Sequence, residues 1–438
     1  MGVLVQISQF ILSLSIIVLL HEAGHFLTAR MFKIKVEKFY LFFDPWFSLF
    51  KFKRGDTEYG IGWVPLGGYV KIAGMIDESM DKEQMKLPPQ PWEFRAKPGW
   101  QRLIVMVAGV TVNFILGFII FTIFTVKNGT SYLPIKNLKY GIYCDSLATK
   151  IGLKNTDTIV GVNGKTITRF DSITLDIIFD KAKSIQVIRG GKVQSIPVSE
   201  ENLSAILGDA KGFIDVQVPF SVDSVLPGKG AAAAGIKKGD LITKVDTVST
   251  PYFQGFSAVL QHYKNKDVAL TVNSKGTIHQ VTAHIDDDGK VGIAAKTDTL
   301  QFVHTNYSFF ESIPIGLNRT FATIGNVAKQ LNIMFTVKGA HKQIGGFYSI
   351  GKSYSKVWDW SSFWLFTAFI SVMLAFINIL PIPALDGGHV IFLLYEMITG
   401  RKPNEKVMEY AQWAGMLLLL GLMLYANGLD VGRWLSHK

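Results

Sequence analysis

Four stretches of this chain are long and apolar enough to cross a bilayer as helices, which takes about 20 residues. They run roughly from Val3 to Leu27, Leu103 to Val126, Trp358 to Leu385 and Ala411 to Leu429. No other feature constrains the fold as strongly, because backbone inside hydrocarbon must satisfy its own hydrogen bonds. Each stretch is therefore expected to be helical. Over all 438 residues the chain is 48% hydrophobic and 18% charged, with a mean hydropathy of +0.26. That is too apolar for an ordinary soluble protein and too charged for a chain lying wholly in lipid, so soluble parts are expected between the spans. The run from Phe10 to Leu20 could pass for a signal peptide, but no basic residue precedes it and no small-x-small site follows. It leads into His21 and Glu22, and is expected to be a retained helix.

Basic residues set the orientation. Arg30, Lys33, Lys35, Lys38, Arg95, Lys97 and Arg102 flank the first two spans, and Arg401, Lys402 and Lys406 lie between the last two. Both segments should face the cytoplasm, leaving the N-terminus and residues 127–357 outside. The first span then brings His21 to His25, and the third brings Asp386, to the same leaflet. The net charge of +11 is dispersed and does not form a stripe with interleaved aromatics, so the lipid bilayer is the expected partner and nucleic acid is not. The single cysteine, Cys144, allows no intrachain disulfide and has no histidine near it in sequence.

The external region repeats itself. Ile151 to Gly164 (IGLKNTDTIVGVNG) aligns with Ala234 to Thr247 (AGIKKGDLITKVDT), 83 residues on. Each copy has a short helix of small residues, a glycine stop, a tight turn and an alternating strand. The pattern resembles the PDZ domain, twice in tandem, and predicts two α+β domains. Phe39 to Met75, aromatic and glycine-punctuated, reads as short strands around a hairpin at Arg54-Gly55-Asp56. Glu311 to Val337 has apolar residues near helical spacing and reads as an amphipathic helix at the membrane surface. Leu87 to Pro98 reads as a linker and Asp77 to Lys86 as a solvated charged loop.

His21 and His25 are four residues apart, on one helical face a turn apart, and can grip a single ion. Glu22 beside them can hold a proton from a metal-bound water. Ionisable groups at the end of a membrane helix, at roughly 2–3 kcal/mol each for the charged forms, are functional by default. Zinc in a catalytic site takes three protein ligands and a water. Asp386, directly after the helix break at Pro381 and Pro383, is the first candidate for the third ligand, with His389 as the alternative. Asn378 is placed to hydrogen-bond a developing oxyanion or a substrate backbone, or to make a polar helix–helix contact.

His21-Glu22-Ala23-Gly24-His25, the stretch Asn378 to Gly388, the glycine-rich Val64 to Gly74 and Ala108-Gly109 with Asn113 together resemble the site-2 protease family, in particular its RseP type. The resemblance covers nearly the whole chain. It implies a polytopic α-helical membrane protein of four transmembrane helices with a membrane-associated β-rich loop and two external PDZ-like domains. Residues 1–126 would be the first half of a protease core and 127–215 and 216–300 the PDZ-like domains. An amphipathic juxtamembrane segment would follow at 301–357, and the second half of the core at 358–438. It also implies one catalytic zinc ion near the cytoplasmic face of a bacterial inner membrane, held by His21, His25 and Asp386, with Glu22 as the general acid/base. A strand edge at Gly67, Gly68, Tyr69 and Val70 would hold an unwound substrate, with Asn378 and Pro381 opposite. Implied substrates are single-pass membrane proteins such as pre-cleaved anti-sigma factors, and leftover signal peptides. The PDZ pair would exclude bulky substrates or bind new C-termini. Competing classes are a membrane metalloprotease of the Ste24 or HtpX kind, a PDZ-bearing scaffold without activity, and a zinc transporter.

Overall fold

The computed structural model describes residues 2–65, 67–75, 88–208, 212–297 and 300–436. The expected charged loop from Asp77 to Lys86 lies outside them. The chain divides into two compact units. One is Met1–Gly129 with Asn306–Asn332 and Ile344–Lys438; the other is Thr130–Thr305 with Ile333–Gln343.

In the first unit, four helices are long and apolar enough to cross a membrane: Gly2–Met31, Gly99–Asn128, Trp360–Ile379 and Lys406–Ser436. They are the first to fourth spans below. The first span carries most of its polar residues on its inner side, Ser8 being exposed. Gln6, Gln9, Ser13, His21 and His25 are buried, with Ile17 and Gly24, while Val3, Leu4, Ile7, Leu19 and Leu27 are exposed. This inverts a soluble helix, since lipid solvates the apolar side and the polar groups find partners inside. Gln6 Nε2 donates to the carbonyl of Tyr354 at 2.7 Å, Gln9 Nε2 to that of Ser355 at 2.8 Å, and Thr367 Oγ1 to Ser13 Oγ at 2.9 Å.

The third span starts at a cap, the Asp359 carboxylate accepting from the amides of Ser361 and Ser362. The sequence reading carried this span through Leu385; in the structure it stops at Ile379. Leu380, ahead of Pro381, is extended (φ −61, ψ 148), as a residue preceding proline must tend to be. Asp386 accordingly opens a separate helix, Asp386–Thr399. The second span is tied to that helix by Arg102, which donates to both carboxylate oxygens of Glu396 at 3.0 and 2.7 Å.

Between the first two spans lies a four-stranded sheet of β1 (Val36–Leu41), β2 (Phe50–Arg54), β3 (Thr57–Ile61) and β4 (Tyr69–Ile72). Its order is β2-β3-β1-β4, with β1 parallel to β3 and the other pairs antiparallel. Gly55 and Asp56 form the β2–β3 turn. The strand β4 ends the sheet. Tyr69 stacks on Tyr40 at 5.2 Å between ring centroids and donates to Asp44 Oδ1 at 2.9 Å, holding β4 to the loop after β1. The amphipathic segment is a helix, Phe309–Thr336, whose Phe321 ring lies 5.4 Å from that of Phe114 on the second span.

The second unit holds the repeat. One copy has a sheet ordered Lys192–Pro197, Ser184–Arg189, Thr158–Val162, Lys165–Thr166; the other is ordered Thr277–His284, Asp267–Ser274, Leu241–Val245, Val248–Ser249. The topologies match strand for strand, and both carry a bulge at the same repeat position, Ile159/Gly161 and Ile242/Lys244. Each copy closes its own apolar core, one around Leu153, Ile159 and Ile185, the other around Ile242, Val245 and Leu270. Cys144 is buried in the first, and burial with the nearby Asp157 pushes its thiol pKa up to about 12.

Candidate active site

The first span reaches the second at Gly24 and Gly109. A Cβ on Gly24 would lie 2.7 Å from the Ala108 carbonyl oxygen, and one on Gly109 only 2.4 Å from His25 Nε2 and 2.7 Å from His21 Cε1. The helices therefore touch backbone to backbone, and the two histidine rings, edge to face at 79°, occupy the space a side chain at Gly109 would fill.

Helical spacing then puts both Nε2 atoms in one place, 3.3 Å apart. Each ring is held from behind. His25 Nδ1 meets the Val105 carbonyl oxygen at 2.8 Å, so Nδ1 carries the proton and Nε2 keeps its lone pair. His21 Nδ1 meets the side-chain amide of Asn113 at 3.2 Å, and Asn113 is 1% exposed. Amide oxygen and nitrogen are interchangeable by a flip. With its oxygen, which otherwise lacks a partner, turned to Nδ1–H, Asn113 fixes the same tautomer on His21.

The break at Pro381 and Pro383 brings in the third donor. Asp386 Oδ2 lies 3.3 Å from His21 Nε2 and 3.4 Å from His25 Nε2. It is buried and has no hydrogen-bond partner among the described residues. These three atoms form the one group of at least three His, Cys, Asp or Glu donors close enough to share a metal among the described residues. A tetrahedral zinc ion with bonds of about 2.0–2.1 Å sets its ligands about 3.3–3.4 Å apart. The edges of the triangle, 3.3, 3.3 and 3.4 Å, fit that ion, and the orphaned carboxylate oxygen fits a cation.

A cavity of about 700 Å³ opens over the triangle. Glu22, Gly67, Gly68, Tyr69, Val70 and Asn378 line it with His21, His25 and Asp386, as does His389, which stands outside the donor triangle. Pro381 is not among the lining residues. Gly68 brings β4 against the first span, for a Cβ there would lie 2.8 Å from Val18 Cγ1 and 3.1 Å from Glu22 Cγ. Asn113 and Gln412 also border the cavity, and the sequence reading gave neither a role. In the sequence, Asn113 enters only with the family resemblance; an asparagine deep in an apolar span is the signal that marks it.

The profile of Peptidase family M50 matches residues 9–422. The chain belongs to that family. It is a site-2-type zinc metalloprotease, and this membership decides among the classes the sequence left open, setting aside the scaffold, the transporter and the Ste24 or HtpX kind. It is similar to the Regulator of sigma-E protease RseP of Escherichia coli K12, 27% identical over 98% of both chains. It is also similar to Protease RseP of Yersinia pestis, 26% identical over 99% of this chain and 100% of that one. A candidate zinc metalloprotease of Neisseria meningitidis is 27% identical over 98% of this chain and 99% of its own length.

Proposed function

We propose that this protein cuts the membrane-spanning segments of single-pass proteins, using one catalytic zinc ion held by His21, His25 and Asp386. The observation that carries the reading is the donor triangle, two histidines on the first span and Asp386 on the helix after the third, facing a cavity bordered by a terminal β-strand.

Zinc, when bound, lowers the pKa of a coordinated water and polarises the scissile carbonyl. The residues do the rest. Glu22, at the cavity wall beside both histidines, takes a proton and returns it to the leaving amine, a role worth roughly 10²–10⁴-fold. A substrate helix hides its amides in its own hydrogen bonds, so it must be unwound before a bond can be cut. The outer edge of β4 gives the unwound backbone new partners at Gly67, Gly68, Tyr69 and Val70. Asn378 on the facing wall hydrogen-bonds the substrate backbone, and Pro381 shapes the turn behind it.

The basic residues flanking the spans favour a cytoplasmic-side active site in a bacterial inner membrane, with the repeat unit outside. Its two copies act as PDZ-like domains that keep bulky external domains from the core. Substrates are then proteins already trimmed on the outside. Similarity to a protein named for regulating sigma-E points to anti-sigma factors, with remnant signal peptides as a second class.

Glu22→Gln tests the reading. The variant should keep one zinc per chain by elemental analysis and leave a single-pass reporter uncut in proteoliposomes. Cleavage at the wild-type rate would sink it.

A further inference from the structure

The break between the third span and the Asp386 helix satisfies its backbone in an unequal way. The amides of Leu380, Ile382 and Leu385 donate locally, to the carbonyls of Ile377, Leu380 and Ile382. Pro381 and Pro383 have no N–H. That leaves Ala384, whose amide donates to Gln412 Oε1 of the fourth span at 3.2 Å. From Leu380 to Leu385 it is the one donor answered by another helix. Ala384 is also in the left-handed region, φ +77, which an alanine adopts only when its surroundings hold it there. Two residues on comes Asp386.

The contact is close and buried. Gln412 is 8% exposed. One turn along the fourth span, a Cβ on Gly415 would fall 1.8 Å from the Pro383 carbonyl oxygen, so the span seats directly on the turn.

We infer that Gln412 is a positioning residue: by holding Ala384 N–H it fixes the left-handed turn that places Asp386 Oδ2 against the two histidines. The fourth span thereby takes part in building the metal site although none of its side chains is a ligand. An unanswered amide at this depth would draw the turn toward other acceptors, and Asp386 would move with it. Groups that orient a ligand from behind typically change metal affinity by 10–100-fold when removed.

The inference rests on Asp386 being a ligand, and the experiment separates the two ideas. Full-length detergent-solubilised protein is loaded with Zn²⁺ or Co²⁺. Metal affinity is read by chelator competition, the cobalt site by its visible d–d bands, and kcat and KM on a fluorogenic transmembrane peptide. Gln412→Met keeps the shape and loses the acceptor; Gln412→Asn is a methylene too short to reach. Both should weaken Zn²⁺ about tenfold, shift the cobalt bands and lower kcat with KM within about twofold. Gln412→Glu, which keeps an acceptor at the same reach, should restore affinity and spectrum towards wild type. Wild-type affinity and bands in both acceptor-deficient variants would overturn the role of Gln412, provided Asp386→Ala does alter them. If Asp386→Ala leaves metal affinity and bands unchanged, the ligand assignment itself fails. Should one acceptor-deficient variant not fold, the other with Gln412→Glu still decides.

Discussion

Gly109→Ala is the smallest change that should dismantle the proposed metal site. The added methyl would lie 2.4 Å from His25 Nε2 and 2.7 Å from His21 Cε1. Ordinary van der Waals contact begins near 3.4 Å, so the His25 ring must retreat by about 1 Å or the spans must part. Metal ligands tolerate only about 0.2 Å of displacement, and the shift exceeds that several-fold. Overpacking by one methyl ordinarily costs about 1–3 kcal/mol, which leaves most membrane proteins folded. Gly117→Ala supplies the control. Its Cβ would meet Val372 Cγ2 at 2.3 Å and the Ala368 carbonyl oxygen at 3.2 Å, a comparable clash on the same span away from the histidines. Both variants should lose similar thermal stability, by differential scanning fluorimetry in detergent. Gly109→Ala alone should purify with little zinc and show no cleavage. One zinc per chain and full activity in Gly109→Ala would refute the close-approach argument.

Asn113→Leu should retain the fold and weaken zinc 10–100-fold in a chelator competition, because His21 loses the group that fixes its tautomer, whereas Asn113→Asp should hold the metal. Cys144 should resist a thiol-alkylating reagent at pH 8 in the folded protein and react on denaturation, by intact mass. With its pKa raised from 9.0 to about 12, the folded thiol keeps its proton where the unfolded one ionises. Raising pH through that window therefore removes stability, and a fluorescence melt should fall from pH 9 upwards.

Much of the protein was legible in the sequence because the decisive signals are local. A run of about 20 apolar residues in water-free surroundings can only be helical. Histidines four apart on a helix share a face whatever surrounds them, and a repeat is visible as a repeat. The repeat was read from a fourteen-residue alignment, yet its two sheets share strand order and a bulge position, since turn glycines and alternation specify pairing locally.

What the sequence left undetermined depends on contacts between distant segments. Gln6, Gln9 and Ser13 of the first span become an inward stripe only once Tyr354, Ser355 and Thr367 are opposite them. Pro381 and Pro383 announced a break, but that Asp386 begins a new helix, and that its turn leans on Gln412, emerged only when the fourth span was in place. The chain by itself narrowed the candidate metal donors to His21, His25 and either Asp386 or His389, and placed the two histidines on the first span. Tertiary structure decided that His21, His25 and Asp386 meet within 3.4 Å, because Asp386 arrives on a separate helix after the proline break, and no local propensity encodes a distance between helices.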